Sequence, residues 1–257
     1  MDCRRCLAAA PWWPAGGSEV TVLPAASIPD LEALLRHARA LLGASLADLA
    51  EGLGLPVPTG GLRTKGWSGR IIERELGAKD GGGRGPDFAE LGVELKTVPV
   101  DHSLLPVEST AVCHIDPMTI AGESWETSYV RGKLAQVLFV ALEVEYRRVV
   151  SVGDRRVVGV RLWSPSPDEE NLLRGDFELF VRDYFRRGRA ADITGHLGRV
   201  LQVRPKARRA SDLRDAFGSD GKPTRIGRCG FYLRPAFVGG ILRGGETTGP
   251  PSWGIGS

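Results

Sequence analysis

The fold of this chain is decided by the stretch Gly85-Pro86-Asp87-Phe88-Ala89-Glu90-Leu91-Gly92-Val93-Glu94-Leu95-Lys96-Thr97. Its Pro-Asp turn and the alternating residues that follow predict a β-strand over about residues 91 to 98. Side chains at alternate positions of a strand project from the same face. We therefore expect Leu91, Val93 and Leu95 to face a core, and Glu94 and Lys96 to share the opposite face.

Asp87 lies on the turn before this strand, so its carboxylate can fold back beside Glu94. Two carboxylates and an amine at one strand end suit metal-dependent phosphodiester hydrolysis, in which the carboxylates hold Mg²⁺ and Lys96 positions or activates the attacking water. The alternative is an exposed ion pair of Glu94 and Lys96 that contributes little. Short motifs of this kind also occur by chance. Evidence from other parts of the sequence is therefore needed to distinguish a nuclease site from an exposed ion pair.

The composition is that of a globular chain with one domain, or one domain with lobes, because 257 residues are 42% hydrophobic and 25% charged. The longest apolar run, residues 137–142, has the length of a buried strand rather than of a membrane span. Residues 1–14 resemble a signal peptide only loosely, since prolines interrupt the apolar part. We expect a cytoplasmic protein with a disordered leader over residues 1–27 and a disordered, Gly- and Pro-rich tail over residues 241–257.

The four cysteines argue against a structural zinc site. Cys3 and Cys6 form one close pair, whereas Cys113 and Cys229 stand alone in strand-like segments, and a zinc site usually takes two pairs. Buried thiols in a reducing compartment are the expected state.

The formal net charge of +3 is unevenly distributed. The segment from Arg182 to Arg234 is strongly basic, and the remainder of the chain carries a net negative charge. A basic half beside an acidic half with a carboxylate cluster indicates a grip on the phosphate backbone next to a metal site. The alternative is a solvated, arginine-rich surface.

Periodicity and capping residues predict a mixed α/β chain. Helices are expected from residue 27 to Gly43, from Ser45 to Leu53, over 65–77, over 125–133, from a Ser166 cap to Arg187, and after a cap at Ser211. Strands are expected at about 109–115, 137–145, 156–163, 199–204 and 229–234. The glycine-rich segment 79–85 is predicted to be a mobile loop, because no helix follows it to bind phosphate with its amino terminus.

Short motifs follow one another along the chain: Lys65-Gly66-Trp67, Glu73, Pro86-Asp87-Phe88, the strand 91–97, Trp125-Glu126-Thr127-Ser128, Val130-Arg131-Gly132-Lys133-Leu134, Leu162-Trp163-Ser164-Pro165, Gln202-Val203-Arg204-Pro205-Lys206 and Gly230-Phe231-Tyr232-Leu233. Together they resemble the MutH family of DNA mismatch repair endonucleases from about Ile28 to Phe237. An ordered set of this kind is far more specific than any single motif.

The resemblance implies a restriction-endonuclease-like fold of the PD-(D/E)xK superfamily over residues 28–240. In that fold a mixed sheet flanked by helices forms a catalytic lobe and a basic recognition lobe, with a DNA-binding cleft between them. It also implies a Mg²⁺-dependent endonuclease that nicks the unmethylated strand of double-stranded DNA at hemimethylated GATC sites. Activation by MutL, which relays mismatch recognition from MutS, is implied as well. A single Asp-Glu-Lys set fits a monomer that makes one nick per binding event.

The resemblance also assigns roles within the catalytic site. Asp87 and Glu94 match the metal-binding carboxylates, and Lys96 matches the active-site lysine. Glu73 matches a further acidic residue, and Lys133 a second lysine that lines the site. From the residues alone, Glu73 would be a solvent-facing helix charge and Lys133 a charge that offsets the helix dipole.

A second group of residues matches positions that approach DNA. Arg204, Lys206 and Tyr232 match family positions that approach the bases or sense adenine methylation, and an arginine can make the bidentate contact to guanine. Lys65 is expected to touch the DNA backbone, which positions the protein without reading sequence. From the residues alone, the alternative for Tyr232 is a core aromatic next to Phe231.

The chain departs from the family at both ends. The leader before Ile28 has no clear counterpart, and Gly-rich sequence from Gly239 onward stands where the family ends in an apolar helix. Two other functions stay open: a restriction-type GATC endonuclease, which needs two active sites to cut both strands, and a DNA-binding module without catalysis.

Overall fold

In the computed structural model, which describes residues 30–60, 64, 66–78, 85–144, 151–205 and 213–244, the first elements are helices and the later ones are mainly strands. In that part of the chain the α-helices are α1 (Leu31–Ala40), α2 (Leu46–Gly52), α3 (Trp67–Glu75), α4 (Tyr129–Leu134), α5 (Pro167–Phe180) and α6 (Pro235–Leu242). The strands are β1 (Glu94–Val100), β2 (Thr110–His114), β3 (Val137–Glu143), β4 (Val157–Trp163), β5 (Leu201–Pro205), β6 (Leu213–Phe217), β7 (Pro223–Gly227) and β8 (Cys229–Leu233). This is the mixed α/β class that the sequence predicts.

Some sequence-based expectations fall outside the described residues. They concern the leader 1–27 with Cys3 and Cys6, most of the glycine-rich segment, and most of the tail. Within the described residues, no helix combines the length and the apolar character that crossing a membrane would require.

The first sheet has the order β1-β3-β4, with β1 at its edge. Strand β1 runs parallel to β3, in a register that places Glu94 opposite Val137, and β4 runs antiparallel to β3. A parallel pair needs a long crossover, and this one contains β2 and α4. The predicted strand start at Leu91 is wrong by three residues, because Gly92 adopts a φ of +68° in a turn that ends at Val93.

Strand β3 separates two hydrophobic cores. The helical core lies on the side of α1–α3 and takes Leu138, Val140 and Leu142 from this strand. The sheet core lies on the other side and takes Val137, Phe139 and Ala141. All of these side chains are essentially inaccessible, so the continuous apolar run predicted as a buried strand is buried on both faces.

The second sheet has the antiparallel order β2-β8-β5 and covers the sheet core. Phe231 on β8 packs with ring centroids 5.8 Å from Phe177 and 6.2 Å from Phe180 of α5. Strand β2 departs from a regular alternation, because a register shift between Ala111 and Cys113 places consecutive residues on the core side. Such a bulge strengthens local twist.

Capping residues fix two helix starts as predicted. Ser45 with Asp48 and Ser166 with Glu169 each form a complete capping box, in which two otherwise unsatisfied backbone amides are bonded reciprocally. The predicted α-helix to Arg187 is too long, because α5 ends at Phe180 and continues as a π-helix through residues 181–185.

A buried carboxylate joins α5 to the second sheet. Asp176 is 3% exposed and accepts hydrogen bonds of 2.7–2.8 Å from the backbone amides of Arg199, Val200 and Leu201. The Arg234 guanidinium donates to the carbonyls of residues 195, 197 and 198, which come just before these amides in the chain. These two side chains hold the loop that leads into β5.

The helix expected after Ser211 is a β-hairpin instead. Ser211 itself lies outside the described residues, but residues 213–217 pair antiparallel with residues 223–227 as β6 and β7. The turn between them bonds the Gly218 amide to the Lys222 carbonyl at 2.9 Å, and Gly221 has a φ of +74°. The helix prediction missed this turn chemistry, which favours a hairpin.

The expectation that the apolar C-terminal helix is missing is also wrong. Residues 235–242 form α6, which begins with Pro235 in its first turn. A Cβ at Gly239 would lie 3.1 Å from Pro106 Cδ and 3.2 Å from Leu105 Cδ1, so the small residue allows close packing and outweighs glycine's low helix propensity. The helix continues past residue 240, where the predicted domain boundary lies.

Candidate active site

The turn before β1 brings Asp87 to the start of the strand. Phe88 and Val93 pair through backbone hydrogen bonds of 2.9 and 3.2 Å, and the left-handed conformation of Gly92 closes this turn. Asp87 Oδ2 then accepts a 2.8 Å hydrogen bond from the Leu95 amide. The predicted return of this carboxylate to the neighbourhood of Glu94 is confirmed.

Two lysines hold the Glu94 carboxylate, which is only 3% exposed. Lys96 Nζ lies 2.5 Å from Oε1, and Lys133 Nζ lies 2.7 Å from Oε2. Lys133 Nζ also donates to the Gly85 carbonyl at 2.7 Å. The structure therefore gathers Asp87, Glu94, Lys96 and Lys133 at the start of one edge strand.

Helix α4 places Lys133 in this cluster because its two ends are fixed. Ser128 caps the first turn by accepting from the Arg131 amide at 3.1 Å, and the Glu94 amide donates to the Gln136 carbonyl just after the helix, at 2.9 Å. The side chain of Lys133 is 9% exposed, and that of Lys96 is 18% exposed. Lys133 is thus a partly buried member of the site and not an exposed helix-end charge.

Electrostatics keep Lys133 protonated. Burial lowers the pKa of its ammonium group, but the hydrogen bond that it donates to Glu94, together with the charges of Glu94 and, to a smaller extent, Tyr129 and Asp87, more than offsets that effect. The pKa of Lys133 is therefore raised above its ordinary value. Its Nζ also lies 5.7 Å from the centre of the Tyr129 ring, a favourable cation–π distance.

Glu73 approaches β1 from the face of the helical core. It lies on α3, and a Cβ at Gly69 would be 3.6 Å from Glu73 Oε1 and 3.6 Å from Thr97 Oγ1. Thr97 projects from the strand face opposite to Glu94 and Lys96. Glu73 is half-buried beside the edge strand, so it is close to β1 but reaches it from the other side of the sheet.

The oxygen ligands of the site suit Mg²⁺. This ion is usually held by one or two carboxylates, with water and substrate phosphate oxygens completing its shell. Asp87 and Glu94 offer such a set, because each carboxylate oxygen has two lone pairs. Among the described residues, no cluster of three or more His, Cys, Asp or Glu side chains could hold a metal. The donor set therefore fits an ion shared with water and DNA.

A polar face on the second sheet carries the predicted base-reading residues. Arg204 of β5 is exposed, and Tyr232 of β8 lies opposite Gln202. Burial raises the pKa of the Tyr232 phenol, the Arg204 guanidinium acts in the opposite direction, and Glu108 adds to the rise. Tyr232 is half-buried on this face, whereas the core aromatic on β8 is its neighbour Phe231. Lys65 and Lys206 lie outside the described residues.

Part of the positive charge in the segment 182–234 is used within the protein. Arg182 bonds Asp183 at 2.8 Å, and Arg189 bonds Asp192 at 2.9 Å. Arg186 Nε donates to a backbone carbonyl at 2.6 Å. The basic segment is therefore partly structural.

Sequence reasoning missed the residues that support the polar face. Ser109 Oγ accepts from Gln202 Nε2 at 2.7 Å and from Arg204 at 3.1 Å. The available signal was the Gln-x-Arg alternation on β5, which places both side chains on one strand face. Asp176, which fixes the start of β5, was missed because its partners are backbone amides more than twenty residues away.

A mixed sheet whose edge strand carries Glu-x-Lys, with an Asp on the preceding turn, defines the PD-(D/E)xK class of nucleases. Residues 76–176 match the model of one family, described as the DNA mismatch repair enzyme MutH. Relatives named DNA mismatch repair protein MutH, 40% to 43% identical over more than 80% of the chain, show that it belongs to the MutH family, the GATC-nicking endonucleases of DNA mismatch repair.

Individual relatives cover most of the chain. The DNA mismatch repair protein MutH of Pectobacterium atrosepticum is 43% identical over 212 residues, which is 82% of this chain and 90% of the relative. The protein of the same name from Shewanella amazonensis is 43% identical over 214 residues, or 83% and 94%. That of Vibrio cholerae is 40% identical over 211 residues, or 82% and 94%.

Proposed function

We propose that this protein nicks the unmethylated strand of hemimethylated GATC sites in a Mg²⁺-dependent reaction that MutL activates. The observation that carries the proposal is the cluster of Asp87, Glu94, Lys96 and Lys133 at the start of β1. Two carboxylates and two ammonium groups that converge on one strand end match the needs of phosphodiester hydrolysis.

Each member of the cluster has a distinct task in this proposal. Asp87 and Glu94 would hold Mg²⁺, which when bound polarises the phosphate and stabilises the charge that develops on its oxygens. Lys96, the more exposed lysine, would orient the attacking water. Lys133 is fixed by Glu94 and Gly85, and its permanent positive charge favours the anionic transition state beside the scissile phosphate. We assign Glu73 a supporting carboxylate role at the edge strand.

DNA recognition is assigned to the outer face of the second sheet. Arg204 would read guanine in the major groove through the bidentate contact that a guanidinium can make, and the Tyr232 phenol on the same face would sense the adenine methyl group. Lys65 is proposed to contact the DNA backbone, and Lys206 to approach the bases. The duplex would then lie in the cleft between the catalytic lobe and the basic recognition lobe.

The proposed oligomeric state follows from the catalytic set of Asp87, Glu94 and Lys96. One set makes one nick per binding event, so we propose a monomer that acts in the cytoplasm. MutL, itself responding to MutS, would license each nick. A type II restriction enzyme would need a second active site, and no observation of this chain favours one.

The test is nicking of a supercoiled plasmid with a single GATC site in unmethylated, hemimethylated and fully methylated forms, with Mg²⁺ or with EDTA. We expect open-circular plasmid with Mg²⁺ and none with EDTA, and the break should lie in the unmethylated strand. The rate of nicking should rise when MutL and ATP are added. Asp87→Asn should abolish the reaction, whereas Asp168→Asn, in the exposed first turn of α5, should not.

Two outcomes would replace the proposal. Linear product formed without an open-circle intermediate would identify a restriction-type enzyme. An intact plasmid in the presence of MutL and ATP, with GATC duplex still bound, would identify a DNA-binding module without catalysis.

A further inference from the structure

A hydroxyl group joins two strands on the polar face of the second sheet. Ser109 stands just before β2, and its Oγ accepts hydrogen bonds from Gln202 and Arg204, which are i and i+2 on β5. Ser109 is 93 positions from Gln202 and 95 positions from Arg204 in the sequence. This contact therefore exists only because β8 lies between β2 and β5 and holds both.

We propose that Ser109 is a positioning residue for DNA recognition, and that it acts through Arg204. An exposed arginine has many rotamers, and only a few of them present its fork to a guanine edge. The Ser109 hydroxyl lies 3.1 Å from one terminal nitrogen of Arg204, which selects the side-chain direction. The other guanidinium donors stay available for the base.

Gln202 makes this arrangement rigid. Its side chain is buried, with only 4% of the residue exposed, and its amide nitrogen lies 2.7 Å from Ser109 Oγ. The two incoming donors occupy both lone pairs of the hydroxyl. Ser109 therefore cannot turn away without leaving a buried amide unpaired, which is unfavourable.

Strand β8, which pairs with β5, leaves room for the Arg204 guanidinium. Arg204 pairs across the sheet with Gly230, which has no side chain. Tyr232 pairs with Gln202 on one side and with Ala111 on the other. The serine, the arginine and the tyrosine thus lie on one face, and the serine ties Gln202 and Arg204 of β5 to the β2 edge.

This inference rests on the proposed function, and the experiment separates the two. The wild type is first assayed for Mg²⁺-dependent nicking of the GATC plasmid, and an inactive wild type would remove the proposed function itself. With an active wild type, kcat/KM is measured for GATC and for plasmids in which one base pair of the site is changed. The ratio of the two values is the specificity.

The Ser109→Thr and Ser109→Val pair isolates the hydroxyl, because the two replacements have nearly the same shape. Ser109→Val and Ser109→Ala should lower the specificity about tenfold, since part of one base contact is lost. Ser109→Thr should retain most of it. Ser124→Ala is the matched control, because its hydroxyl bonds Thr127 at 3.1 Å on an exposed turn, and it should leave the specificity unchanged.

Combination with Arg204→Ala identifies the route by which the serine acts. In that background, Ser109→Val should change the specificity no further. An equal loss in both backgrounds would show a merely structural role and overturn the proposal. Unchanged specificity in a folded Ser109→Val protein would overturn it as well. If Ser109→Val does not fold, Gln202→Leu with Ser109 retained provides the same comparison, because it frees the hydroxyl from its anchor and should also lower the specificity.

Discussion

Replacement of Asp176 by alanine should be among the most destabilising single changes on α5. The Asp176 carboxylate is buried and accepts from the amides of Arg199, Val200 and Leu201 at 2.7–2.8 Å. Removing it leaves those donors without their acceptor inside the protein. The residues at risk are those that lead directly into β5, the strand that carries Arg204.

The magnitude follows from the number of amides. A buried donor left unsatisfied costs roughly 1–3 kcal/mol. The amides of Val200 and Leu201 are bonded in a buried setting, whereas that of Arg199 is partly buried and can recover some hydration. We therefore expect Asp176→Ala to lower the free energy of unfolding by about 3–5 kcal/mol, a large share of the ~5–15 kcal/mol typical of a folded protein.

The two carboxylate oxygens are not equivalent, which sharpens the prediction. Oδ2 accepts from all three amides, whereas Oδ1 accepts only from Arg199. Asp176→Asn can keep its carbonyl at the Oδ2 position, with its NH₂ facing the Arg199 amide. Only that one contact becomes unfavourable, so Asp176→Asn should lower the free energy of unfolding by about 1–2 kcal/mol.

Urea unfolding followed by circular dichroism measures these differences. Glu178→Ala, at an exposed position of the same helix, serves as the control and should change stability by no more than about 0.5 kcal/mol. A loss of less than about 1 kcal/mol for Asp176→Ala, or equal losses for Asp176→Asn and Asp176→Ala, would refute this assignment of the three amide bonds to Asp176.

Three further predictions concern the active site and the β5 loop. Lys133→Met should lower single-turnover nicking about 10²-fold or more while DNA binding persists, because Glu94 loses one of its two cations; a rate close to that of the wild type would exclude the assigned role. The raised pKa of Lys133 means that its stabilising contribution is complete below the ordinary value of 10.5 and disappears as pH rises through the higher folded value. The difference in the free energy of unfolding between wild type and Lys133→Met, measured in urea, should therefore stay constant from about pH 7 to 9 and shrink only beyond about pH 10.5. A decline already at neutral pH would contradict this. Gly198→Ala should cost at least about 2 kcal/mol in thermal or urea unfolding, since φ is +81° and a Cβ would overlap the Leu201 carbonyl, whereas Gly175→Ala, with open space in α5, should stabilise by about 0.5–1 kcal/mol.

The features that could be predicted from the sequence are those set by neighbours along the chain. The capping boxes at Ser45 and Ser166 need residues only three positions apart, and both are formed. The shared face of Glu94 and Lys96 follows from the period of a strand. The position of Asp87 also follows, because a turn of a few residues determines it.

The features that could not be predicted depend on contacts between distant segments. Gly239 would weaken an isolated helix, and α6 forms because that residue packs closely on Leu105 and Pro106. Lys133 has an ordinary helix-end sequence context, and only the parallel pairing of β1 with β3 places it against Glu94. Its position in the site was expected from the family resemblance and not from its local pattern.

The placement of β3 between two cores has a consequence for how the protein opens. Phe139 faces the sheet core and Leu138 the helical core, so neither side can separate without exposing the apolar surface of the other. Local opening in native conditions is then confined to the periphery, and the amides of β3 should exchange with solvent only through complete unfolding. Because β3 is also the parallel partner of β1, the strand that carries Glu94 and Lys96 is anchored to the most slowly exchanging part of the molecule.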